Sequence, residues 1–230
     1  MDYFLRAVSS AFGLIFSLDA EIYLIVWTSL WISLFAVGIA ATAAVPLGLL
    51  VALRRFRGRT LILHALNTLM AVPTVVVGLL LYGMFTRQGP LGGLGILYTP
   101  FAIVIGQAIL VLPIIWNLSI SAAASADPRL RATCLSLGAS GLQQGLIVLS
   151  EVRFGMLAAI VAGFGRAIGE VGIAMMLGGN ISGYTRTMTT AIALETSKGE
   201  FEFGLALGVL LLATAFIVNG LLQCFQRLDR

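Results

Sequence analysis

Ile22 to Leu53 reads IYLIVWTSLWISLFAVGIAATAAVPLGLLVAL and carries no formal charge from end to end. A helix needs about 20 mostly apolar residues to cross the hydrocarbon core of a bilayer, and this run exceeds that length. The rest of the chain has the same character. Of its 230 residues, 59% are hydrophobic and 10% charged, with a mean hydropathy of +1.02. A soluble domain carries roughly 25% charged residues to keep its surface hydrated, so this composition excludes one. The two cysteines, Cys134 and Cys224, lie far apart and read as free thiols, not as a disulfide framework.

Four further apolar runs follow the first. Leu61 to Thr86 has His64 as its sole group that can carry a charge near neutral pH, and Phe101 to about Ser121 is uncharged. Phe154 to about Gly178 contains Arg166 and Glu170, and Phe203 to Phe225 is again free of charge. The expectation is an all-α membrane protein of five transmembrane helices in a single domain over residues 1–230. A transmembrane barrel would show alternating hydrophobicity, which these runs lack. Pro46, Pro73 and Pro113 fall inside the first three spans and are expected as kinks, since neighbouring helices can satisfy the freed carbonyls. Gly163, Gly165, Gly169 and Gly172 of the fourth span would allow close helix approach.

Residues 1–20 differ. Phe4, Leu5, Val8, Ala11, Phe12, Ile15 and Phe16 recur at helical spacing, with Asp2, Arg6, Ser9, Ser10, Gly13 and Ser17 opposite. This pattern predicts an amphipathic helix lying on the membrane surface and touching its lipids.

Every basic residue except Lys198 is an arginine, and most flank the apolar runs. The formal net charge of +4 therefore reads as membrane orientation, with no nucleic-acid partner. Arg54, Arg55, Arg57 and Arg59 follow the first span, Arg129 and Arg131 lie between the third and fourth, and Arg227 and Arg230 close the chain. Cytoplasmic connections retain basic residues, which puts the carboxyl terminus inside and the amino terminus outside. Arg87, and Arg186 with Lys198, fall on the outer side, the latter two in an external segment at 178–202.

The connection at 122–150 is longer than a turn requires. Asp127-Pro128 reads as a helix start, with Asp as cap and Pro in the first turn. Leu130, Cys134 and Leu137 form a modest apolar stripe, and Gly138 with Gly141 lets the chain turn into a second short helix. From pattern alone, this helix, glycine turn and helix could simply pack on its own bundle. The run Ala132-Thr133-Cys134-Leu135-Ser136-Leu137-Gly138-Ala139-Ser140, with Val148-Leu149, Arg153 and Gly155 beyond it, resembles the cytoplasmic "EAA" loop of ABC importer permeases of the type I, MetI-like fold. Departures from that loop are Ala132 in place of Glu, Thr133 and Cys134 in place of two Ala, and Ser150 in place of Pro.

The resemblance implies that Ala132, Thr133, Cys134, Leu137, Gly138 and Ala139 belong to a coupling helix seated in a groove of a separate ATPase. It also implies a homodimer of permeases, a cytoplasmic ABC ATPase dimer and an extracytoplasmic binding protein in a bacterial or archaeal cell membrane. The chain has no GxxxxGK[ST] phosphate loop, and its one lysine lies in the external segment, so ATP would be used by the partner. This chain is expected to bind no cofactor or metal and to be no enzyme itself.

The most specific stretch is GRAIGEVGIAMMLGGNISGYTRTMTTAIALETSKGEFEFG, Gly165 to Gly204. It resembles permeases for tetrahedral oxyanions, with Gly165 to Glu170 and Gly179-Asn180 shared with molybdate permeases. Tyr184 to Ile192 and Glu195-Thr196 are similar to tungstate permeases, which places tungstate first and molybdate or sulfate as the alternative.

Arg166 and Glu170 are four residues apart and can meet on one helix face. Charged groups in a span usually face the bundle interior or a water-filled path. They either neutralise one another and pin helices, or line a translocation path or gate together with Asn180, Thr185 and Thr187. These three equally read as caps of an external loop. Asn67, Gln107 and Asn117 are expected as interhelical hydrogen-bond partners. A membrane-embedded enzyme is disfavoured by the single histidine and the absence of HExxH. A secondary anion transporter or channel is the stronger rival, with Arg166 and Glu170 as an ion relay.

Overall fold

A computed structural model describes residues 8–9, 11–13, 15–16, 19–54 and 56–228, and everything described below concerns these. Most of the helix expected over residues 1–20, including Asp2, Phe4, Leu5 and Arg6, lies outside them. Of its described part, Val8, Ser9, Ala11 to Gly13, Ile15 and Phe16 are helical, with Ala11 buried and Phe12 and Phe16 exposed.

The uncharged run becomes α1, Ala20–Leu53, a helix of 34 residues capped by the Asp19 carboxylate, which accepts from the Glu21 amide at 2.8 Å. Its buried positions, among them Ile25, Ser29, Ile32, Ala36, Ala40, Ala44 and Gly48, recur every three to four residues and face the bundle. Tyr23, Leu24, Trp27, Leu34, Phe35 and Ile39 are exposed on the opposite side. A helix apolar all round is one that meets protein on one side and hydrocarbon on the other.

The second run does not form one helix. It splits into α2, Arg59–Met70, and α3, Thr74–Phe85, bent by 92°. At a rise of about 1.5 Å per residue, each is about 18 Å long, less than the core thickness of roughly 30 Å. Pro73 is therefore a corner and not a kink: it supplies no amide hydrogen and pushes Val72 out of helical geometry.

α4, Pro100–Ala124, is continuous through Pro113 and runs beside α1. Next come α5, Pro128–Ser136, and α6, Gly141–Glu151, and a 76° bend leads into α7, Arg153–Ile168. The fourth run is also interrupted: α7 stops at Ile168, and a short α8, Gly172–Gly178, resumes after a break at Gly169, Glu170 and Val171. Beyond α8 the chain folds into α9, Met188–Lys198, before the long α10, Phe201–Leu228. Three helices are long and apolar enough to span, or up to five if each bent pair is one span.

The core gathers around the α1–α4 pair. α7 packs on both, α8 lodges between α3 and α4, and α9 pairs with α10. Ile22, Ala40, Val111, Ile115, Phe164 and Leu207 belong to one buried apolar cluster that extends along it. Close approach depends on glycine: a Cβ on Gly48 would lie 2.6 Å from the Cβ of Ser119, and one on Gly163 would lie 2.6 Å from the Ile115 side chain. At the end holding the start of α1, Arg186 Nη1 donates to the Glu21 carboxylate at 3.1 Å, tying the turn before α9 to the first turn of α1.

Gly48→Ala is expected to lower the thermal midpoint of the purified protein in detergent, because overpacking costs about 1–3 kcal/mol. Gly38→Ala meets nothing within 4 Å. It should leave the midpoint unchanged or raise it, since alanine favours helix by up to about 1 kcal/mol over glycine.

Candidate functional site

Two places concentrate polar or unusual geometry. The first is the module of α5 and α6. Asp127 caps α5 by accepting from the Arg129 amide at 2.8 Å. Gly138 has φ +73°, the left-handed geometry that glycine adopts without a steric cost, and it turns the chain towards α6. A capping box then starts α6: the Ser140 hydroxyl accepts from the Gln143 amide, and the Gln143 side chain accepts from the Ser140 amide.

The expected stripe divides in the structure. Cys134 is buried and Leu130 packs beside Val148, but Leu137 is 81% exposed. Ala132, Thr133 and Gly138 are also exposed, and Ala139 is half-buried. Leu135, Leu142 and Leu146 join Leu137 as exposed apolar side chains. The turn thus presents leucine outward, where a helix-turn-helix packed only on its own bundle would hide it.

The second place is the break at residues 169–171, where the ends of α7 and α8 leave backbone groups without helical partners. Arg166 Nη1 donates to Glu170 Oε2 at 2.6 Å, and the other carboxylate oxygen accepts from the Ile173 amide at 3.2 Å. Glu170 is therefore both the arginine's counter-ion and the cap of α8. Its side chain is 3% exposed and that of Arg166 is 37%. From α4, Gln107 Nε2 donates to the Ala167 carbonyl at 3.0 Å, and the Thr189 hydroxyl donates to the Glu170 carbonyl at 2.8 Å.

The far end of α8 is tied in the same way. Thr185 Oγ1 donates to the Gly178 carbonyl at 2.6 Å and accepts from the Ile181 amide at 3.0 Å. Thr187 caps α9, and the Met188 amide donates to Ser29 Oγ of α1 at 2.6 Å. Asn180 takes up φ +52° and donates to the Thr190 carbonyl at 3.4 Å. Thr185 and Thr187 do act as caps, but in the interior, both buried, where a solvated loop would expose them.

The structure brings Arg166 and Glu170 together, and Thr187 and Asn180 meet on Thr190. Ser29 and Thr189, which sequence reasoning did not single out, complete the arrangement. Their signal is weak, since small hydroxyl residues occur in apolar helices without marking anything. Asn117 and Asn67 pair at 2.9 Å, the interhelical bond expected of them. His64 is exposed. Beside α8, a cleft of about 620 Å³ is lined by Leu79, Tyr82, Tyr98, Met175 and Gly179. The hydrogen bond with Tyr82 at its rim, followed by desolvation, pushes the Tyr98 hydroxyl pKa up.

Residues 44–228 match the family described as the inner membrane component of binding-protein-dependent transport systems. The chain belongs to that family. The matched range includes both the α5–α6 module and the broken segment. As a permease, the chain is 37% identical to the tungstate uptake system permease protein TupB of Peptoclostridium acidaminophilum, over 98% of this chain and 99% of that one. It is 40% identical to a probable anion ABC transporter permease protein of Haloferax volcanii, over 84% and 85% of the two chains. The MetNI methionine ABC transporter, solved in inward-facing conformations, superposes with a TM-score of 0.73 over 92% of this chain and 99% of that one. At 16% identity, that likeness concerns the fold alone.

The two roles of Glu170 in the permease can be separated. Glu170→Gln keeps an oxygen for the Ile173 amide and should retain a folded protein, whereas Glu170→Leu leaves that amide and Arg166 unpartnered. The latter should lose about 1–3 kcal/mol and show a lower thermal midpoint in detergent. Equal midpoints for both variants would refute the capping role.

Proposed function

We propose that this chain is the permease subunit of an ATP-driven tungstate importer. It would work as a homodimer on a cytoplasmic ABC ATPase dimer and receive the oxyanion from an extracytoplasmic binding protein. The observation that carries this reading is the likeness to a tungstate uptake permease along nearly the full length of both chains. Transport of molybdate or sulfate is the alternative within the family.

In this reading the α5–α6 turn, with Ala132, Thr133, Cys134, Leu137, Gly138 and Ala139, docks on the ATPase. Loss of the family's Glu at Ala132 leaves docking to shape and apolar contact, and the outward leucines suit that. Arg54, Arg59 and Asp127 line one cavity at the module's end of the bundle, while Glu21, Ser182 and Arg186 line another at the end holding the start of α1. That separation supports a cytoplasmic module and carboxyl terminus in the cell membrane, with the amino terminus outside.

Arg166, Glu170, Asn180, Thr185 and Thr187 form the gate. They hold the ends of α8 and its following turn by hydrogen bonds that can exchange as the helix shifts. The partly exposed Arg166 offers a transient contact to a passing dianion, and Glu170 keeps that cation from retaining it, since a site that binds too well does not release.

The test is reconstitution of the permease with its ATPase and binding protein in proteoliposomes. Tungstate uptake should require both ATP and binding protein and should resist competition by molybdate and sulfate. Uptake driven by a gradient without ATP would overturn the reading in favour of a secondary transporter, and preferential competition by molybdate would reassign the substrate. Leu137→Asp changes an exposed side chain, so folding should persist while ATP-dependent uptake falls by at least about tenfold, the effect of about 1.4 kcal/mol lost at the docking surface.

A further inference from the structure

The cavity at the module's end of the bundle is walled in part by two arginines for which the transport cycle gives no role. It measures about 410 Å³ and lies where α1 ends, α2 begins and the α5–α6 module starts. Arg54 and Arg59 stand in its wall, Ala124 and Val148 are among its small apolar lining, and Asp127 is its one acid. Neither arginine forms an ion pair among the described residues. Asp127 already spends Oδ1 on capping α5, and Arg59 is steadied by donating Nε to the Val51 carbonyl at 3.3 Å. Arg54 extends from the end of α1 so that its Nη2 is 3.9 Å from where a Cβ on Gly141, the first residue of α6, would sit.

Two arginines line one concave space against a single acid, and neither is ion-paired among the described residues. Guanidinium is the group best suited to oxygen-rich anions, because its planar fork matches two oxygens at once. A large apolar ligand would be poorly served, since the arginines would remain uncompensated.

We propose that this cavity is a binding site for a tetrahedral oxyanion group, held by Arg54 and Arg59, that braces the α5–α6 module against the ends of α1 and α2. Two sources share that chemistry: a free oxyanion such as released tungstate, and the phosphate of an anionic lipid headgroup. An anion here bridges elements that must shift relative to one another when the module moves, so it favours whichever arrangement keeps both arginines in reach. With released tungstate, the site gives feedback by accumulated product. With lipid, it makes activity depend on the anionic lipid of the inner leaflet. The proposal rests on the reading of this end as cytoplasmic.

The test uses the assembled transporter in nanodiscs, with Ala124→Cys as a reporter in a Cys134→Ser, Cys224→Ser background. The introduced thiol is titrated with an anionic thiosulfonate reagent and with its cationic counterpart. The anionic reagent is expected to react about tenfold faster, as a local excess of positive charge dictates. In phosphatidylcholine discs, protection by added sodium tungstate identifies the free oxyanion. Protection that appears only when phosphatidylglycerol is included identifies the headgroup. Arg54→Gln and Arg59→Gln should each abolish the protection and the charge preference. Equal rates for the two reagents, indifference to both tungstate and phosphatidylglycerol, or protection that survives both substitutions would overturn the site. Uptake by the unsubstituted transporter in sealed proteoliposomes reads the transport function separately: ATP-independent uptake would sink that reading and leave the protection result standing.

Discussion

A backbone amide or carbonyl without a partner in hydrocarbon costs several kcal/mol, and this fold interrupts a helix inside its own bundle. Everything around residues 169–171 follows from that cost. Gln107 reaches from α4 to the last turn of α7, Glu170 turns back to cap α8, Thr189 holds the Glu170 carbonyl and Thr185 closes the far end. Four side chains from three parts of the chain therefore replace hydrogen bonds that a continuous helix would have made for itself. A bilayer tolerates irregular backbone only where protein or a water-filled path surrounds it, and α8 meets the condition by lodging between α3 and α4.

The scarcity of charge gains meaning from this. A chain with 10% charged residues has few to place, and those in its interior serve as connectors. Arg166 and Glu170 neutralise one another while Glu170 also caps α8, so one pair of side chains both settles its charge and holds a helix end. Arg54 and Arg59 at the module end are different in kind, because among the described residues neither forms an ion pair.

The three long helices were legible because an uncharged run has one way to satisfy its backbone in lipid. The corners were not. Hydropathy sums composition along a run and carries no information about direction, so Leu61 to Thr86 gave no sign of its 92° bend. At Pro46 and Pro113 the helix carries on, with α1 and α4 passing through them while packed side by side. Pro73 had no such neighbour to hold the line: α2 buries only Leu66 and α3 only Gly78, Leu81 and Phe85. In the site, the pairing of Arg166 with Glu170 followed from helical spacing. The contributions of Ser29 and Thr189 depend on helices brought together from distant sequence, which local pattern does not encode. The helix-glycine-helix module was readable because caps and a glycine turn are local, although Leu137 turned outward from the stripe assigned to it.

The bond between Glu21 and Arg186 has a consequence in time. Chains emerge from the ribosome at about 5–20 residues per second, so the acid at the start of α1 waits about 8–33 s for an arginine 165 positions later. Until then the first helix stands in the membrane with its end untied, and no shorter nascent chain can make the closure. The tie thus marks synthesis that has passed Arg186, and a chain stalled before that residue keeps this edge of the bundle open.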